Sequence, residues 1–213
     1  MKVLLINGSP NPNGCTYTAL DIIAKRLNEQ GIETQLIQVG KKPIIGCVDC
    51  NACRKLGKCA YGDADGVNAA RMALEESDGV IVGSAVHYAS ATGALTSFLD
   101  RLFYCRPNGC LRMKFGASVV SCRRGGASAT FDQLNKYFTI SQMPVVSSCY
   151  WNMVHGFTPE DVYADKEGVR TMQVLADNMA YLIKAKQAAG LPLPELPPAA
   201  VTNFVRPDLL EEG

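Results

Sequence analysis

The sequence predicts an α/β protein built on a doubly wound parallel sheet, and three observations predict it. Short aliphatic runs alternate along the chain with longer stretches whose apolar residues recur at helical spacing. One run, DGVIVGSAV at 78–86, is continuously apolar between turn residues, the pattern of a strand covered on both faces. At 213 residues the chain suits one large domain, long enough to bury about 70% of its unfolded surface around a single core.

Each element follows in order. KVLLIN at 2–7 reads as a first strand closed by Gly8, and YTALDIIAKRLNEQ at 17–30 places Ala19, Leu20, Ile23, Ala24 and Leu27 on one helical face. ETQLIQV at 33–39 alternates like a strand, and 65–77 is helix-like, with Val67, Ala70, Met72 and Leu74 roughly periodic. The buried strand at 78–86 comes third, and the helical pattern GALTSFLDRLFY follows at 93–104. GASVVSC at 116–122 and MPVVSSCY at 143–150 read as fourth and fifth strands, with the helix TFDQLNKYFTI between them. A long helix is expected from about Lys166 to Ala189. The domain then occupies 1–190 with a cysteine-rich loop at 43–62, and 191–213 is a proline-rich extended tail packed on its own subunit or a neighbour.

Composition narrows the function. Charged residues make up 19% and the formal net charge is +1, which offers no basic stripe for nucleic acid. Val3 to Ile6 is too short an apolar run for a signal peptide, and no later run approaches a membrane span, so a cytoplasmic protein without membrane contact is expected. In that reducing compartment nine cysteines point to metal binding, redox chemistry or burial rather than to disulfides.

Between the first strand and helix lies GSPNPNGCTYT, and in doubly wound sheets ligands sit beyond the carboxyl ends of the strands, where such loops are. A dinucleotide fingerprint fails because Ser9 and Pro10 follow Gly8, and a Walker loop fails because five residues separate Gly8 from Gly14 and Cys15 stands where lysine is required. Hydroxyls of Ser9, Thr16 and Thr18, with amides at the helix N-terminus, can cradle a phosphate monoester. The plainer alternative is a helix capped by Thr16.

GSPNPNGCTYTAL resembles the phosphate loop of the flavodoxin-like NAD(P)H-dependent FMN reductases, commonly G-S-P-x-x-x-G-N-T, with Cys15 where Asn is frequent. GSAVHYASATGALTSFLDR at 83–101 resembles the same family's third-strand loop, with Ala85 in place of Pro and His87 in place of Tyr, and SCRRGGASAT at 121–130 resembles the loop after the fourth strand. The resemblance spans about residues 1–190 and implies a five-stranded sheet of order 2-1-3-4-5 and a bound FMN. Its phosphate is expected at Ser9, Asn11, Asn13, Gly14, Cys15 and Thr16, and its ring along Ala85, Val86, His87, Tyr88, Ser121, Arg123, Arg124, Gly125 and Gly126. His87 and Arg124 are the candidates for catalysis, each with a plainer alternative as a loop residue or a solvated cation. Asp100 and Arg101 are expected to pair with each other, and Trp151 and His155 to line a pocket or interface.

The resemblance further implies an oxidoreductase that takes electrons from NAD(P)H and gives them to a quinone, flavin, azo or nitro compound, or a protein. A homodimer or homotetramer is implied as well. A pure electron carrier is disfavoured by the near-neutral charge, since carriers tend to be acidic for docking. Cys47, Cys50, Cys53 and Cys59 are spaced C-x2-C-x2-C-x5-C, and compact cysteine tetrads of this kind hold iron–sulfur cubanes more often than zinc. The run looks like that of the iron-sulfur flavoproteins, which implies a [4Fe-4S] cluster beside FMN and, as the alternative function, an iron-sulfur flavoprotein electron carrier; zinc and free thiols stay open.

Overall fold

The first strand shows how the sheet is covered on both sides: Leu4 and Ile6 point into one apolar cluster while Val3 and Leu5 point into another, as the two-residue period of a strand requires. The structure is a computed structural model that describes residues 1–105, 110–198 and 200. In chain order its elements are β1 (Lys2–Asn7), α1 (Cys15–Glu29), β2 (Glu33–Gln38), α2 (Cys53–Leu56), α3 (Val67–Glu76), β3 (Gly79–His87), β4 (Ser90–Ala91), α4 (Gly93–Tyr104), β5 (Phe115–Cys122), α5 (Ala127–Ile140), β6 (Met153–His155), α6 (Pro159–Ala164) and α7 (Lys166–Ala189).

The principal strands are parallel and ordered β2-β1-β3-β5-β6, with the two-residue β4 folded back antiparallel on β3. Discounting that hairpin strand, this is the 2-1-3-4-5 order expected. The chain leaves β1 toward β2 on one side and reaches β3 on the other, so the switch point of the sheet lies between β1 and β3. Residues of α3, α4 and α5, among them Leu74, Phe98 and Phe138, cover one face; α1, α6 and α7 cover the other through Leu20, Val162 and Met179. Helix-sized apolar periods therefore bury against strand-sized ones on both faces, and the glycines set the spacing. A Cβ on Gly116 would come within 2.6 Å of Phe138, so β5 and α5 approach as closely as they do only because Gly116 has none.

One strand differs from expectation. The stretch 143–150 contributes a single bridge, Val145 to Gly116, and the fifth ladder is made instead by Met153, Val154 and His155 against Val120, Ser121 and Cys122. The cause is local. Ser148 Oγ donates to the carbonyl of Tyr150 at 2.6 Å and lies 2.6 Å from Asn152 Oδ1, a side-chain turn that takes the backbone out of the ladder before it rejoins. Trp151 thus precedes the last strand and His155 ends it.

The cysteine-rich stretch 43–62 is irregular apart from the single turn of α2. In the proline-rich tail, 191–198 and 200 carry no regular element, and the remainder of 191–213 lies outside the described residues. Among the described residues no helix is long and apolar enough to cross a membrane.

Candidate functional site

Three loops leave the carboxyl ends of β1, β3 and β5 on the same edge of the sheet, and hydrogen bonds join them. The Gly8 amide donates to the Gly83 carbonyl at 2.8 Å. Thr92 caps α4, accepting from the Leu95 amide, while its hydroxyl donates to the Gly8 carbonyl at 2.7 Å and its amide to Ser84 Oγ at 3.2 Å. Thr16 Oγ1 and Ser121 Oγ are 2.7 Å apart and both residues are buried, which ties the first turn of α1 to the end of β5. Gly126, at φ +92°, packs so closely on Val86 and Ala89 that a Cβ would meet them at 2.9 and 2.7 Å.

The first loop is shaped by its own side chains. Asn7 Oδ1 accepts the Ser9 amide at 3.1 Å, Ser9 Oγ the Asn11 amide at 3.1 Å, Asn11 Oδ1 the Asn13 amide at 3.3 Å, and the Asn11 carbonyl the Gly14 amide at 3.4 Å. Gly14, not Thr16, is the cap of α1 and offers no side chain, so Thr16 stands inside the first turn. The Thr18 hydroxyl bonds back to the Gly14 carbonyl at 3.2 Å, which commits it to the helix. The amides of Cys15, Thr16 and Tyr17 open the helix and have no carbonyl a turn behind them to donate to. Cys15 is half-buried; its thiol donates to the Thr158 carbonyl at 3.3 Å, and burial pushes it up from the ordinary thiol range.

The second loop is a tight hairpin. Tyr88 and Ala89 both have positive φ, 51° and 57°, as a two-residue turn between paired strands requires, and this puts the Tyr88 side chain fully in solvent. No Gly or Asn marks that turn in the sequence. Ala85 and Val86 are half-buried and His87 is exposed at the hairpin base. In the third loop Arg123, Arg124 and Gly125 are exposed, and a Cβ on Gly125 would meet nothing within 4 Å, so this backbone borders open space. His155, at the end of β6, joins the same edge with Nδ1 3.4 Å from Cys122 Sγ, whose thiol is pushed up by burial.

The cysteine loop forms a second centre. Cys47, Cys50, Cys53 and Cys59 line one cleft together with Arg101, Tyr104 and Cys105. Among the described residues no three His, Cys, Asp or Glu side chains converge tightly enough for a single metal ion. The four thiols border one shared space.

Arg101 and Asp100 do not pair with each other. Neighbours in sequence point about 100° apart around a helix, so Asp100 accepts from the Tyr137 hydroxyl at 2.5 Å while Arg101 turns to Asp65. Cys105, buried in the cleft wall, has its thiol pushed up to about 12 by burial and by the neighbouring Cys53. It lies outside the spaced motif and was legible only as the residue one helical turn beyond Arg101. The cleft and the strand-end loops lie toward opposite ends of α4, Gly93 at one and Arg101 at the other, about 12 Å apart at about 1.5 Å per residue.

A model of the NADPH-dependent FMN reductase family matches residues 1–158. The chain belongs to that family. An iron-sulfur flavoprotein of Methanocaldococcus jannaschii is 32% identical to it over 191 residues, covering 86% of this chain and 98% of the relative, and a second from the same organism is 27% identical over 201 residues, covering 88% and 99%. Among solved structures, RosB aligns with a TM-score of 0.68 at 14% identity, covering 90% of this chain and 82% of RosB. A WrbA-like flavodoxin from Agrobacterium tumefaciens aligns at 0.59 and 12% identity, covering 86% and 98%. The second of these establishes the flavodoxin-like fold. Membership of the NADPH-dependent FMN reductase family makes the chain a flavin-dependent oxidoreductase with a nicotinamide partner.

Proposed function

We propose that this reductase draws electrons from NAD(P)H with FMN as cofactor and delivers them to a quinone, free flavin, azo or nitro compound, or a protein, with a [4Fe-4S] cluster on Cys47, Cys50, Cys53 and Cys59 as its second centre. The observation that carries the reading is the meeting of three bonded loops at the open N-terminus of α1, at the switch point of the sheet. Four cysteines around one cleft, in a chain whose relatives are iron-sulfur flavoproteins, favour the second centre. When bound, FMN supplies hydride acceptance and one-electron release, and a cluster supplies one-electron transfer.

The chain's own residues fit these groups. The FMN phosphate is assigned to Ser9, Asn11, Asn13, Gly14, Cys15 and Thr16. The first-turn amides of α1, with no carbonyl a turn behind them, give it donors, and the loop amides hold neutral acceptors at 3.1 to 3.4 Å, bonds that exchange favourably for shorter ones to a dianion. The ring is assigned to Ala85, Val86, His87, Tyr88, Ser121, Arg123, Arg124, Gly125 and Gly126. Exposed His87 and Arg124 border that place, the first able to move a proton and the second to meet a dinucleotide phosphate.

Two outcomes follow. Thr16→Val keeps the methyl beneath Gly83 but removes the hydroxyl, so equilibrium flavin titration should show binding weaker by about 1.5 to 3 kcal/mol, as for a bond to a charged group. An unchanged dissociation constant would remove Thr16 from the site. A homodimer or homotetramer is proposed because Tyr88 and Phe157, which follow the carboxyl ends of β3 and β6, are exposed large apolar side chains. Sedimentation of the flavin-loaded protein should give the mass of two or four chains, and a monomer would refute it. The function itself is tested by steady-state oxidation of NADH against NADPH with a panel of quinone, azo and ferredoxin acceptors; failure of every acceptor would sink the reading.

A further inference from the structure

Arg101 is 2% exposed, and its guanidinium is committed to the cysteine loop and its flank. Nε donates to Cys59 Sγ at 3.3 Å, Nη1 donates to the Ile45 carbonyl at 3.1 Å, and the fork meets the Asp65 carboxylate, whose side chain is 15% exposed. Asn68 grips the same cysteine from the other side: its Oδ1 accepts the Cys59 amide at 2.9 Å and its Nδ2 donates to the Cys59 carbonyl at 3.0 Å. Both gripping residues sit on helices packed against the sheet, Asn68 on α3 and Arg101 on α4. Cys47 and Cys50, by contrast, are exposed. One thiol of the tetrad is therefore held by the folded domain before any metal arrives.

We propose that Arg101 is the positioning residue of Cys59 and that, through its N–H to the sulfur and its buried charge, it raises the reduction potential of a cluster held by the tetrad, with Asp65 as the counter-charge that limits the rise. The proposal rests on the cluster reading above. Reduction adds one negative charge to the cluster and its thiolates. A cation and a hydrogen bond at one ligand sulfur stabilise that charge, and a carboxylate behind the cation offsets part of the gain.

The test uses full-length protein purified without air. In a potentiometric titration followed by EPR, Arg101→Gln should lower the cluster midpoint by at least a tenfold change in the reduced-to-oxidised ratio, about 59 mV for a one-electron couple. Asp65→Asn should move it the opposite way, and Arg101→Lys, which keeps the charge, should retain most of the wild-type value. A purely structural role predicts no such opposition of sign, so shifts in one direction for both, or none for Arg101→Gln, overturn the tuning role. Because Arg101→Gln leaves Asp65 buried without its cation, the double variant Arg101→Gln, Asp65→Asn is included; it removes both charges, and its flavin content checks the fold.

Positioning is read separately on chelator-stripped protein by trypsin cleavage after Arg54, Lys55 and Lys58. Arg101→Gln should be cut about tenfold faster than the wild type as the loop opens more often. Equal rates overturn the positioning role. Wild-type protein that holds flavin but no iron overturns the cluster reading and the tuning role with it, and leaves the cleavage rates to decide positioning.

Discussion

Cys59→Ser protein purified without air should carry its full complement of FMN and less than one-tenth of the iron and acid-labile sulfide of the wild type, which should hold about four of each per chain. The effect is this large because the four thiols do not contribute equally. Cys59 is packed against the main apolar cluster and fixed by Asn68 and Arg101, whereas Cys47 and Cys50 sit on exposed loop backbone. Losing the anchored ligand leaves three thiols on a segment whose ordering must then be supplied by the metal itself, at about 1 to 2 kcal/mol per residue. Serine is a poorer ligand for iron than a thiolate, so it does not restore the site. Iron retained at the wild-type level in Cys59→Ser would show that the tetrad is not the ligand set, with buried Cys105 in the same cleft wall as the first replacement to consider.

Gly126→Ala should destabilise the fold by about 2 to 5 kcal/mol, read as a lower melting temperature, and weaken FMN binding, while Gly125→Ala should leave the unliganded protein as stable as the wild type and weaken flavin binding only. Two penalties meet at Gly126. A side chain at φ +92° costs about 1 to 2 kcal/mol, and its Cβ would stand 2.7 Å from the Ala89 Cα and 2.9 Å from Val86, so the hairpin must move away from the third loop by overpacking worth about 1 to 3 kcal/mol. Separating those loops pulls apart the surface on which the ring is assigned. At Gly125 a Cβ meets nothing in the unliganded chain, so any cost there reports a ligand lying against the backbone. Isothermal titration with FMN and thermal unfolding of the apo-proteins separate the two cases. Equal flavin affinity in Gly125→Ala and the wild type would move the ring away from this loop.

How much of this protein could be read from its sequence depended on how local each signal was. Apolar period alone determined the alternating strands and helices, the parallel sheet covered on two faces and the long helix from Lys166 to Ala189, because a buried face must repeat at the spacing of its own element. The loops at 8–18, 83–92 and 121–126 were legible through their resemblance to the loops of one family, and the fold brings them to one edge of the sheet. What the sequence left undecided was every question of which separate segments meet. The apolar run at 143–150 reads as the fifth strand, but the turn made by Ser148 and Asn152 leaves it a single bridge and moves the strand to Met153–His155. Asp100 and Arg101 are adjacent in the chain yet face different neighbours, since the helix turns their side chains apart and folding brings Tyr137 to one and Asp65 and Cys59 to the other. The cysteine spacing marked a candidate ligand set, but the unequal holding of its members depends on α3 and α4 arriving beside the loop from positions up to 42 residues away, which no local pattern records.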